Sequence, residues 1–244
     1  MLGGLLGALF IFVNYNINRY RQLYLKTKWR KVIEVIVLVA LTSTVIYYAP
    51  MILKNDCLQE EDKRIEASFI QYKCGADQYN PLATLLFNTE GTTIKAFLNK
   101  VAVFDYAPLF LYFVIWYTFT VVTYGTSTPA GLFLPGILIG CSLGRMVGLF
   151  IENYIIKEIK PSTYAIIGSA SILAGYTRLS FSLAVIMLET TENVGLFLPI
   201  IISLFVSFGI GRIFNRSLYV GSVRFKNIPF LIEEVPNCNR GITA

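Results

Sequence analysis

Histidine is absent from this 244-residue chain, and charged residues make up only 15% of it. The commonest metal ligand and general base is therefore missing, which disfavours serine-hydrolase triads, histidine zinc sites and haem sites. Soluble domains carry about 25% charged residues, whereas this chain is 55% hydrophobic with a mean hydropathy of +0.60. The composition indicates an integral membrane protein that is not an enzyme.

Cysteine is scarce and shows no metal-binding spacing. None of the four cysteines forms a C-x-x-C pair, so neither a metal site nor another cofactor is expected. Cys57 and Cys74 lie in one polar loop, the only place where an oxidising compartment could pair them. The sequence leaves that pairing open.

Long apolar runs are abundant. A hydrocarbon core about 30 Å thick needs about 20 apolar residues per helical span. Five regions approach or exceed this length: residues 1–18, 32–53, 104–151, 163–190 and 193–213. The third contains the 39 charge-free positions between Asp105 and Arg145. It is too long for one span and carries glycines and prolines at 125–136, so we expect it to break there.

Basic residues cluster beside the spans. Residues 19–31 contain six basic and no acidic side chains, so the positive-inside rule places this connection in the cytosol. Residues 54–100 then face the lumen or the exterior, and the tail from about 222 faces the cytosol. Because the basic residues flank apolar runs instead of forming a solvated face, no nucleic-acid partner is expected.

Glycines recur at every fourth position from Gly136 through Gly140 and Gly144 to Gly148. This spacing puts them on one helix face, where small residues allow close helix contact in lipid. We interpret them as packing residues.

The segment before these glycines has a different character. If Pro135 lies in the first turn of a helix, the free amides of Leu132 and Phe133 point into the membrane interior. Such a helix start carries partial positive charge and can hold an anion weakly enough to release it. A simple proline kink is the alternative interpretation.

Tyr219, near the end of the apolar part of the chain, is a second candidate. A phenol is a neutral donor suited to an anion that must later leave. The alternative is an interfacial aromatic anchor.

Several segments resemble the CLC family of chloride channels and proton-coupled chloride exchangers. GLFLP at 131–135 resembles the family's G-x-F-x-P segment, and further similar segments follow in the family's order: GCSLGR at 140–145, YAIIGSA at 164–170, LAVIMLETT at 183–191, PII at 199–201 and LY at 218–219. The loop pieces at 55–57, 74–80 and 86–89 resemble the late-endosomal and lysosomal branch. This implies an all-α, multi-pass membrane protein with the tilted and broken helices of the family's inverted-repeat fold.

The resemblance also implies a function, a site and partners. The amides of Leu132 and Phe133 and the hydroxyl of Tyr219 would bind the central chloride ion, with Gly131 and Pro135 shaping the supporting loop. The expected function is transmembrane chloride transport, by a channel or a chloride/proton antiporter. The family forms homodimers in the lipid bilayer, with much of the interface at 168–213, and the branch resemblance implies a late-endosomal, lysosomal or vacuolar membrane.

Other family segments have no counterpart. The first repeat, with its G-S-G-I-P and G-K-x-G-P segments, and the cytosolic regulatory domains are not found in the sequence. We therefore expect residues 1–236 to be the second half of a CLC membrane domain, followed by a cytosolic tail at 237–244, and we expect no chloride flux from this chain alone. The alternative is a truncated, non-conducting membrane fragment with a structural or dimerising role.

Three charged residues inside the spans need an interpretation. Glu189 is an intramembrane carboxylate and hence a functional candidate, although a structural role, bracing the next helix, is favoured. Arg145 and Arg178 are interpreted as packing or interface charges, because an arginine facing the anion would bind it too tightly for turnover.

Overall fold

A computed structural model of the chain describes residues 1–52, 57–59, 70–75, 78–98, 104–154, 160–179, 181–191 and 194–225. The described chain is almost wholly helical, which confirms the predicted all-α class. Its helices are α1 (Leu2–Tyr24), α2 (Lys28–Ile52), α3 (Pro81–Phe87), α4 (Glu90–Leu98), α5 (Tyr106–Thr123), α6 (Phe133–Tyr154), α7 (Pro161–Thr177), α8 (Phe181–Thr191), α9 (Phe197–Phe214) and α10 (Leu218–Phe225), with a short 3₁₀ turn at Val194–Leu196. Strands β1 (Leu58–Gln59) and β2 (Gln78–Tyr79) pair antiparallel, with Leu58 opposite Tyr79.

By length and composition, four stretches of the described chain are long and apolar enough to cross a membrane. They are Lys28–Met51, Tyr106–Thr123, Phe133–Tyr154 and Phe197–Val223. Most of the first stretch is exposed, whereas more than half of the third is buried within the protein. α2 therefore contributes little to the core of the described chain, whereas α6 lies within the helix bundle.

The glycine stripe of α6 forms the tightest helix contact. A methyl group at Gly140 would overlap the Ser169 backbone of α7, and one at Gly144 would overlap the Tyr164 carbonyl. Only glycine lets the two backbones approach this closely. The packing role predicted for these glycines is confirmed, and α7, which also contacts α1 and α9, lies at the centre of the bundle.

Part of the predicted luminal loop is folded. Asn80 caps α3 by accepting a hydrogen bond from the Ala83 amide at 3.1 Å, and Pro81 occupies the first turn. Buried side chains of α3 and α4, including Leu82 and Phe97, join the core. α3 and α4 are thus two short helices packed against the bundle.

Arg145 holds the end of α4. Its Nη1 donates to the carbonyls of Ala96 at 3.2 Å and Phe97 at 2.5 Å, while Phe104 lies 5.1 Å from the guanidinium. Helix C-termini leave such carbonyls without backbone partners. Arg145, only 3% exposed, is therefore the packing charge that the sequence predicted.

The prediction of a single span at 163–190 is wrong, because two helices occupy this region. α7 ends at Thr177 and α8 begins at Phe181. Arg178 takes a left-handed conformation (φ 58°) between them, and its Nη2 donates to the Gly211 carbonyl of α9 at 2.8 Å. The continuous hydrophobicity of 163–190 did not indicate this break, because the break involves a contact between Arg178 and a distant helix.

The polar loop contains a disulfide. Cys57 and Cys74 are bonded, with their Cα atoms 5.9 Å apart, which answers the question that the sequence left open. Cys141 is a free, buried cysteine of α6, whereas Cys238 lies outside the described residues.

Replacing Arg145 by methionine tests its role at the end of α4. We expect Arg145→Met to lower the free energy of unfolding by about 2–4 kcal/mol, because it leaves two buried carbonyls without their donor. Thermal unfolding in lipid nanodiscs measures the change. Arg19→Met, at an exposed position of α1, is the control and should have almost no effect. Equal stability of the two variants would contradict this role.

Candidate functional site

The charge-free region breaks where the sequence predicted. α5 ends at Thr123 and α6 begins at Phe133, so residues 124–132 form a connection inside the apolar region. The Tyr124 amide donates back to the Thr120 carbonyl, and Gly125 then takes a φ of 95°. This conformation, which favours glycine, turns the chain away from the axis of α5.

α6 starts with free amides. The Gly136 amide donates to the Leu132 carbonyl at 3.1 Å and closes the first turn, which includes Pro135. The amides of Leu132 and Phe133 precede the first intrahelical bond. Across the described residues, no side chain accepts a hydrogen bond from either amide. These two donors, at the partly positive end of the helix, are available to an anion.

The carbonyl end of α5 has side-chain partners. Asn14 Nδ2 donates to the carbonyls of Val121 and Tyr124, both at 2.8 Å. Arg21 adds bonds to the carbonyls of Val122 at 2.5 Å and Tyr124 at 3.3 Å. Both donors belong to α1, so α1 satisfies the acceptors that the break exposes.

A cavity of about 640 Å³ lies beside this break. Arg21, Lys26 and Lys31 contribute basic groups to its lining, and Glu34 pairs with Arg21 at 2.5 Å. The loop at 124–130 and part of α10 complete the wall. Some of the basic residues that predicted a cytosolic connection thus meet in one positively charged cavity next to the loop that leads into α6.

A smaller cavity of about 320 Å³ reaches the start of α6. Leu132, Gly131 and Pro135 line it together with mostly apolar side chains of α2 and α5. No charged residue of the described chain is among its lining residues. Leu132 itself is only 4% exposed, so the start of α6 is buried beside a largely apolar cavity.

Tyr219 is the second residue of α10, with 42% of its surface exposed. No hydrogen bond joins it to Leu132 or Phe133 in the described structure. Its phenol group lies close enough to those of Tyr124 and Tyr176 to interact electrostatically with both. The structure thus places Tyr219 near Tyr124 and Tyr176.

Sequence reasoning missed Tyr176. Its hydroxyl donates to the Leu132 carbonyl at 2.8 Å across 44 residues of sequence. In the sequence it is one more apolar residue of a predicted span, and no spacing or motif connects it with 131–135. Glu189, by contrast, is exposed on α8. The side chains of Thr190 and Thr191, which follow it, lie outside the described structure, so the bracing role of Glu189 stays a prediction.

Known proteins resemble the chain along most of its length. The family described as Voltage gated chloride channel matches residues 1–212. Chloride channel protein CLC-d of Arabidopsis thaliana is 36% identical over 95% of this chain, and the human H(+)/Cl(-) exchange transporter 7 is 31% identical over 100% of it. The chain covers 31% and 30% of these relatives, about a third of their length.

The fold has a solved counterpart. The crystal structure of a eukaryotic CLC transporter matches with a TM-score of 0.63 and 26% identity, over 92% of this chain and 33% of that one.

Two glycines of the connecting loop make a matched test of its geometry. A methyl group at Gly125 would overlap the Asn18 side chain, and the residue has a positive φ, whereas the space around Gly131 is open. We expect Gly125→Ala to lower the free energy of unfolding by about 1–3 kcal/mol. Gly131→Ala should be nearly neutral. Thermal unfolding compares the two variants, and a more damaging change at Gly131 would contradict the loop geometry.

Proposed function

Because the chain belongs to the CLC family of chloride channels and proton/chloride exchangers, we propose that it supplies the central anion site for transmembrane chloride transport. In this proposal the amides of Leu132 and Phe133 and the hydroxyl of Tyr219 bind the ion. Gly131 and Pro135 shape the loop and the first turn beside it. The amides without an acceptor at the start of α6 are the observation that carries the proposal.

The surroundings of α6 favour a weak and reversible anion site. A buried amide without a partner costs free energy, and an anion would remove that cost. No charged residue lines the adjoining apolar cavity among those described, so attraction comes from the amide dipoles and the partial charge of the helix end. An ion held in this way can leave again, as transport requires.

Tyr219 fits the role of a neutral third donor. It lies at the start of α10, near Tyr124 and Tyr176, and its hydroxyl makes no hydrogen bond within the described chain. Its partial exposure leaves a route to water. A phenol stabilises an anion without adding a full positive charge, so binding stays reversible.

The assembly proposed for the chain is the family's homodimer, with much of the interface at 168–213. Exposed apolar side chains of α8 and α9 support it: Phe181, Val185, Leu198, Ile202 and Phe205. We further propose that residues 1–236 form the second half of a CLC membrane domain. The proposed location is a late-endosomal, lysosomal or vacuolar membrane. The tail at 237–244, proposed to be cytosolic, lies outside the described residues.

Chloride binding tests the proposed site. The purified chain in lipid nanodiscs is titrated with chloride in an isothermal calorimeter. Tyr219→Phe should weaken binding by about tenfold or more, since a hydrogen bond to a charged group contributes about 1.5–3 kcal/mol. Tyr20→Phe, at an exposed tyrosine of α1, should leave the affinity unchanged. Equal affinities for Tyr219→Phe and the wild type would contradict the site.

Chloride flux into liposomes is the companion measurement. Binding together with flux supports transport by the chain itself. Binding without flux supports a chain that bears the site but does not conduct alone, including the alternative of a structural or dimerising membrane fragment.

A further inference from the structure

Tyr176 occupies the last turn of α7 and points at the start of α6. It is 1% exposed, and its ring stacks on that of Phe10 from α1, with centroids 5.0 Å apart and planes 21° apart. Its hydroxyl donates to the Leu132 carbonyl at 2.8 Å. Tyr176 thus joins α1, α7 and the start of α6 in one buried contact.

The start of α6 leaves room for this hydroxyl. A methyl group at Gly136 would overlap the Tyr176 oxygen. Gly136 also donates its own amide to the Leu132 carbonyl, so this carbonyl accepts two hydrogen bonds, one within α6 and one from α7. A residue larger than glycine at 136 would push the phenol away from Leu132.

Holding the Leu132 carbonyl also fixes the following amide. The peptide bond is planar and trans, so the Phe133 N–H points opposite to the Leu132 C=O. Rotation of that peptide plane would reorient the Phe133 N–H and break the hydrogen bond from Tyr176 to the Leu132 carbonyl. The hydroxyl of Tyr176 therefore sets the direction of one of the two amides assigned to the anion.

We propose that Tyr176 is a positioning residue of the anion site, which it serves by orienting the Phe133 amide without touching the ion. The inference rests on the proposed function, because it concerns the same site. Tyr176 commits its proton to Leu132, so it does not compete with the neighbouring Tyr219 as a donor. The Tyr176 phenol donates to the protein backbone, and the Tyr219 phenol is proposed to donate to the ion.

Tyr117 provides a matched control. Its hydroxyl also donates to a backbone carbonyl at 2.8 Å, that of Leu6, and its ring also contacts Phe10, edge to face at 5.9 Å. Its bond joins α5 to α1 and does not involve Leu132. Loss of either hydroxyl removes one tyrosine-to-carbonyl bond beside the same phenylalanine, but only one of these bonds reaches the anion site.

The test compares Tyr176→Phe with Tyr117→Phe in the full chain, in nanodiscs, by chloride titration and thermal unfolding. Both variants should unfold at similarly lowered temperatures. Only Tyr176→Phe should weaken chloride binding, by about threefold to tenfold, as expected for one neutral hydrogen bond. This split between stability and affinity separates a positioning role from a merely structural one.

Three results would count against the inference. Suppose that the wild type binds chloride and that Tyr219→Phe weakens this binding. Unchanged chloride affinity in Tyr176→Phe then overturns the positioning role of Tyr176, while the proposed function stands. An equal loss of affinity in Tyr117→Phe overturns it too, since the effect would then be general to the fold. No chloride binding by the wild-type chain overturns the proposed function and this inference together.

Discussion

The need to satisfy backbone hydrogen-bonding groups where helices break inside the membrane governs this structure. Lipid offers no partners for a free carbonyl or amide, so each interruption must find them within the protein. Carbonyls at the end of α5 accept from Asn14 and Arg21, and those at the end of α4, in the predicted luminal loop, accept from Arg145. The carbonyl that begins α6 accepts from Tyr176. Side chains from distant parts of the sequence thereby hold the broken helices together.

The same requirement distinguishes the carbonyl ends of the broken helices from the amide end of α6. Donors of this chain satisfy the carbonyl ends, but the amides at the start of α6 have no acceptor in the described structure. An anion is the natural complement of such amides. The basic side chains lie instead in the larger cavity, where Arg21 is already engaged by Glu34 and by carbonyls of α5. The proposed anion site at these amides would therefore adjoin a basic cavity that can attract anions without holding them at the helix start.

Local pattern predicted much of the fold. Hydropathy and the glycine–proline cluster located the break after α5. The four-residue glycine period predicted a close helix contact, which the structure shows between α6 and α7. The sequence did not predict the end of α7 at Arg178, the role of Tyr176 or the carbonyls that Arg145 contacts. Each of these depends on one side chain meeting a backbone carbonyl of an element 33 to 49 residues away. Such contacts produce no periodic pattern in the sequence. The Cys57–Cys74 bond stayed open for a related reason, since spacing alone does not bring two thiols together.

Bromide replaces chloride and scatters anomalously, so its position in crystals of the chain tests the central claim most directly. The account predicts an anomalous peak within hydrogen-bonding distance of the Leu132 and Phe133 amides, on the side of α6 that faces Tyr219. A peak confined to the cavity lined by Arg21 and Lys31, with none at the start of α6, would contradict it.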